Sequence, residues 1–65
     1  MRKMYQIEAM VRDPVENALL TNTIANDPLV YRNFLTIEQA HDALDDFCER
    51  KNLSIGLFNV QTVAA

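Results

Sequence analysis

The chain has 65 residues, one cysteine, one glycine and a formal net charge of −3. So short a chain buries only about 60% of its extended surface, and a lone cysteine excludes an internal disulfide as a staple. With no Gly-rich loop and no Cys/His spacing of a structural zinc site, phosphate-loop and zinc-ribbon chemistry are excluded, while an apolar fraction of 49% argues against disorder.

In chain order, the first element is KMYQIEAMVR. Tyr5, Ile7, Ala9 and Val11 alternate with Met4, Gln6, Glu8 and Met10, the period of a strand with one buried face. Gln6 and Glu8 break the apolar run of the basic N-terminal segment, so no export signal is read there. No run is long enough to span a bilayer. A free thiol without an export signal predicts a cytoplasmic protein.

RDPVEN follows. Asp13 suits a helix cap, Pro14 a first helical position and Glu16 the third residue after the cap. The same letters suit a turn. A helix would gather Val15, Ala18 and Leu19, whereas Thr21, Thr23 and Ile24 favour a strand. The reading leans to a strand, or a short helix and then a strand. A second Asp-Pro pair, Asp27-Pro28, differs in its flanks and makes no repeat. Leu29, Val30, Tyr31 and Phe34 fit an extended segment or a single turn.

TIEQAHDALDDFCERKN carries the firmest signal. Thr36 is a cap, Gln39 sits in the capping-box position and Leu35 fits a staple. Arg50 and Lys51 suit the negative end of the helix. The principal helix is therefore expected over about 37–51. At about 100° per residue, Ile37, Ala40, Leu44, Phe47 and Cys48 form a core stripe. Glu38, Asp42, Asp45, Asp46 and Glu49 fall on a neighbouring flank. The pairs Glu38–Asp42, Asp42–Asp46 and Asp45–Glu49 stand at i,i+4, where like charges cost a few tenths of a kcal/mol each. Solubility is the plain account of that flank; an acidic docking face for a basic partner is the functional one.

LSIGLFNVQTV is the last strand candidate, with Ser54, Gly56, Phe58, Val60 and Thr62 on one face and Leu53, Ile55, Leu57, Asn59 and Gln61 on the other; both faces start out apolar, which predicts an interior strand, with Gly56 marking a bulge or close contact. The fold expected from these elements is α+β. A small antiparallel or mixed three-stranded sheet packs on one principal amphipathic helix, in the order β-β-α-β within one domain over residues 1–65.

His41, Asp45 and Cys48 could line a metal site in principle, but one helix supplies all three and no second histidine or cysteine exists. A histidine held by a neighbouring carboxylate is the plainer account. Cys48 and His41 stand seven residues apart, about 10 Å along a helix, too far for the roughly 3 Å contact of a nucleophile and its base. No cofactor, metal or catalytic residue is assigned, and no enzyme is predicted.

Three functions compete. The first is a small non-catalytic protein-binding or regulatory module, such as an inhibitor. It would dock a basic surface through Glu38, Asp42, Asp45, Asp46 and Glu49. The second is a nucleic-acid-binding protein, which needs Arg2, Lys3, Arg12 and Arg32 together on a sheet face, or Tyr5 exposed beside Arg32 for stacking. The third is a structural subunit or homo-oligomer, with Met4, Met10, Ile55 and Leu57 as candidate interface residues.

Overall fold

The computed structural model describes residues 3–64. Strand β1 (Lys3–Ala9) leads into helix α1 (Pro14–Ala25), helix α2 (Ile37–Lys51), a single 3-10 turn (Ile55–Leu57) and strand β2 (Phe58–Ala64). The order is β-α-α-β, and β1 and β2 form a two-stranded antiparallel sheet with Lys3 opposite Ala64 and Ala9 opposite Phe58. This corrects the expected three-stranded β-β-α-β arrangement. Residues 14–25, where a strand or a short helix and then a strand was expected, are helix throughout, and the segment read as extended or a single turn contributes one bridge, Phe34 to Tyr5.

Helix α1 forms because the Asp13-Pro14 signal prevails over the β-branched residues behind it. The Asp13 Oδ1 accepts the Val15 N–H at 2.9 Å, and Pro14 occupies a first-turn position where no N–H is needed. Leu20 and Ile24 are buried, whereas Val15 is 70% and Leu19 62% exposed. Apolar residues therefore stand on two sides of the helix, which erases the amphipathic period that would have identified it. The exposed hydroxyl of Thr23 turns back to the Leu19 carbonyl at 2.9 Å, a bond that a helix interior accommodates.

Helix α2 is closed at both ends by side-chain and backbone chemistry. The Thr36 hydroxyl accepts the Gln39 N–H at 3.2 Å, and the Gln39 side chain accepts the Leu35 N–H, one residue before the cap. At the other end Asn52 is left-handed, with φ 55°. The Leu53 N–H bonds Cys48 O at 2.9 Å and the Asn52 N–H bonds Glu49 O at 3.3 Å, the paired closure that usually employs glycine. Thr36→Ala is expected to lower unfolding stability by about 1 kcal/mol, read as a shift in the urea midpoint at unchanged m.

One face of the sheet carries the core. Ile7 and Phe58 are buried, Tyr5, Ala9 and Val60 pack against them, and the helices cover this side with Leu20, Ile24, Ala40, Leu44, Phe47 and Cys48. Phe47 and Phe58 meet edge to face, with ring centroids 5.5 Å apart. Ile37, placed in the core stripe by its angle, is 43% exposed because it stands at the first position of α2, beyond the sheet's cover. Gly56 lies in the 3-10 turn rather than in a strand or bulge; a Cβ there would meet the Ser54 Oγ at an ordinary 3.7 Å.

The link between the helices is tied down by Asp27. Its Oδ1 accepts the Leu29 N–H at 2.9 Å and its Oδ2 the Arg50 guanidinium at 2.9 Å. Its backbone oxygen accepts the Tyr31 N–H, also at 2.9 Å. The two Asp-Pro pairs thus share one local bond, from the aspartate to the N–H two residues on, but the first opens a helix and the second a turn.

Candidate functional site: the acidic flank of α2 and the edge of β2

The side chains of α2 divide into three groups. Ala40, Leu44, Phe47 and Cys48 are buried against the sheet. On one flank, Gln39, Asp42, Ala43 and Asp46 line a cleft together with Leu29 and Phe34. Phe34 is bonded to Tyr5 on the edge of β1 that faces away from β2. The rest of α2 is exposed: at about 100° per residue Glu38 and Glu49 stand beside Asp42, facing away from the buried stripe, with Asp45 and His41 next to them.

The five sequence-predicted carboxylates share one exposed arc of α2, but they are not equally free. Asp46 pairs with Arg50 at 2.7 Å, one turn away, and Arg50 simultaneously holds Asp27. Asp42 sits at the lip of the cleft. Glu38, Asp45 and Glu49 stand beside Asp42 on the same exposed arc. Glu38, Asp42, Asp45 and Glu49 are all exposed, and none forms an ion pair among the described residues. The paired side chains perturb each other's protonation. The Arg50 hydrogen bond holds the Asp27 carboxyl below the usual carboxylate range, against burial, which acts in the other direction.

Cys48 is buried, and burial, with the Asp45 charge second, pushes its thiol up. A thiol so placed stays protonated at neutral pH and is a poor nucleophile. Among the described residues no group of three His, Cys, Asp or Glu side chains is placed to hold a metal ion. His41, Asp45 and Cys48 do not come together as ligands; Cys48 turns to the core while His41 and Asp45 are exposed.

The four candidate interface residues also divide. Met10 is exposed, and its N–H bonds the Leu57 carbonyl at 2.7 Å, which brings Met10, Leu57 and the exposed Ile55 to one end of the sheet. Leu57 is half-buried against the core. Met4 lies six residues up β1, roughly 20 Å from Met10 at strand rise, and is half-buried. Of the basic residues, Lys3 and Arg12 stand at opposite ends of β1, and Arg32 lies 5.3 Å over the Phe34 ring. Arg2 lies outside the described residues. Tyr5 packs against the core rather than standing free beside Arg32.

Sequence reasoning missed the sheet edges: the last strand, expected in the interior, has β1 as its one strand neighbour among the described residues. Tyr5 gives both its N–H and its C=O to Phe34, so alternate residues of β1 point away from β2. That edge of β1 is closed at both ends, by Phe34 at Tyr5 and by the Asn17 side chain, which accepts the Val11 N–H at 3.0 Å. Between them a cleft of about 530 Å³ is walled by α1 and residues 30–33. On β2 the same alternation aims the N–H and C=O of Val60 and Thr62 outward. No backbone or side-chain group among the described residues bonds them. The signal for this edge was present in the letters FNVQTVA, which hold no charge, proline or glycine.

Among the described residues no helix is long and apolar enough to cross a membrane. Comparison with protein-family models, with curated proteins and with solved structures finds no match to this chain.

Proposed function

We propose that this chain is a small non-catalytic protein-binding module whose partner presents a basic surface to α2. One observation carries the reading. Four exposed carboxylates, Glu38, Asp42, Asp45 and Glu49, stand on successive turns of one helix with no ion-pair partner among the described residues, while the neighbouring Arg50 is engaged by Asp27 and Asp46. Helix stability does not account for them, because carboxylates four residues apart repel. A field of one sign on a rigid helix steers an oppositely charged surface and disfavours phosphate backbones. The separation of Lys3 from Arg12 along β1 gives no support to the nucleic-acid alternative.

The test is a quadruple variant, Glu38→Gln, Asp42→Asn, Asp45→Asn and Glu49→Gln, which leaves Asp46 to its arginine. Its stability should equal or exceed that of the parent by a few tenths of a kcal/mol, since repulsion is relieved. In pull-downs from the native host with mass readout, proteins retained by the parent and eluted by salt should be lost from the variant. An unchanged set with unchanged salt elution refutes the reading.

A further inference from the structure

The cleft of about 530 Å³ beside β1 has a floor of main-chain groups that the described chain leaves without partners. We propose that it binds the free C-terminal end of an extended peptide, laid antiparallel to β1, with an apolar last side chain and its carboxylate at Arg32. The site uses none of the free carboxylates of α2 and does not rest on that reading.

Burial selects this edge. Ile7 is 7% exposed. By the alternation that sends both groups of Tyr5 to Phe34, the Ile7 N–H and C=O point away from β2 and into the cleft. No group among the described residues bonds them. A buried N–H and C=O without partners are costly and uncommon. Val60 and Thr62 on β2 are unbonded too, but Thr62 is exposed and Val60 half-buried, so water reaches that edge.

The floor specifies the backbone of its ligand. An N–H and a C=O from one edge residue match the C=O and N–H of one residue in an antiparallel neighbour, as Phe34 already matches Tyr5. Ala9, two residues on, points the same way and extends the ladder. The ladder goes no farther, because Phe34 holds Tyr5 at one end and Asn17 holds Val11 at the other. The open stretch therefore runs only from Ile7 to Ala9, about 7 Å at strand rise. A chain that continued past Ile7 would run into Phe34, so the ligand ends there. An antiparallel ligand runs from Ala9 toward Tyr5, which puts its C-terminus at the Phe34 end.

Charge and apolar lining agree with that direction. Arg32 lines the cleft two residues before Phe34, and its guanidinium, 5.3 Å over the Phe34 ring, has no ion-pair partner among the described residues. A terminal carboxylate is the anion such a position takes. Glu8, the other charged residue at the cleft, alternates to the sheet face away from the helices, where its carboxylate accepts the Asn59 side-chain N–H at 3.2 Å. The ligand residue opposite Ile7 shares the helix-covered face with it and meets Ile24, Ala25 and Val30.

The test uses the full chain and a pool of N-acetylated tetrapeptides randomised at every position, prepared once as free acids and once as C-terminal amides. At millimolar peptide, acids with apolar last residues should be retained and identified by mass. The enriched acid should slow amide hydrogen exchange at Ile7 and Ala9. Its amide should bind about tenfold more weakly or worse. Arg32→Gln, a change at an exposed side chain, should weaken the acid to the level of the amide and leave the amide unaffected. The quadruple α2 variant should bind the acid as the parent does.

Four results would each overturn the proposal: no acid is retained, the amides bind as well as the acids, Arg32→Gln keeps full affinity for the acid, or the Ile7 amide exchanges as fast with the acid bound as without it. Loss of binding in the α2 variant would move the peptide to the acidic flank and overturn it equally.

Discussion

Phe47→Ala is expected to leave little folded protein at 25 °C. Phe47 is 0% exposed and stacks edge to face on Phe58, so it joins the middle of α2 to the first residue of β2. Removing a buried phenylalanine costs about 3–5 kcal/mol through lost transfer energy and the cavity left behind. A domain of this length holds roughly 3–10 kcal/mol in total. The substitution therefore consumes most of the margin, and the far-UV circular dichroism of the variant should resemble that of the parent in high urea. A cooperative urea transition within 1 kcal/mol of the parent, an allowance of the order seen for conservative core swaps (about 1 kcal/mol), would mean that the Phe47–Phe58 contact does not organise the core.

The second large effect is expected at Asp27. Asp27→Ala removes the Arg50 ion pair and the bond to the Leu29 N–H, both at 2.9 Å, from a residue only 5% exposed. The expected loss at pH 7 is about 2–3 kcal/mol, in the range of hydrogen bonds to charged groups. It stays below the cost of breaking a fully buried pair because water reaches the arginine. The pH dependence has a definite sign. The folded-state pKa of Asp27 lies below its ordinary value of about 3.9, so its contribution is complete above that value and is lost as pH falls through the folded pKa. The stability gap between parent and variant should be constant from pH 7 down to about 5 and narrow below about 4. A gap independent of pH would show that the carboxylate's charge is not what holds the turn.

Much of this arrangement is legible in the letters, and the rest is hidden for identifiable reasons. Thr36, Gln39 and the charge order of Arg50 and Lys51 mark an autonomous helix, because each acts within one turn of its own position. The alternation of Tyr5, Ile7 and Ala9 against Met4, Gln6 and Glu8 gives the inner and outer faces of β1. Helix α1 is hidden because Val15 and Leu19 face away from Leu20 and Ile24, and because Thr21 and Thr23 carry strand preference that tertiary packing overrides. Residues 55–57 read as strand by pattern, yet the chain makes a 3-10 turn there before it enters the sheet. The acidic side chains are visible as a set. The capture of Asp46 by Arg50, four residues on, is also within reach of the letters; what they do not show is that Arg50 reaches Asp27, 23 residues away in sequence. How far the outer edge of β1 is covered depends equally on distant residues, since Phe34 must return to Tyr5 to bond it there.

The pairing of Lys3 with Ala64 has a consequence for how the molecule is made. During synthesis both helices leave the ribosome while β1 still has no neighbour along the edge that β2 will fill. The sheet closes only after β2 has emerged, so its formation carries the loop-closure entropy of the long excursion from Ala9 to Phe58. Until then the nascent chain must rely on the local closures at Asp13, Thr36 and Asn52, and the interval before β2 arrives is when β1 is most open to capture by other nascent chains.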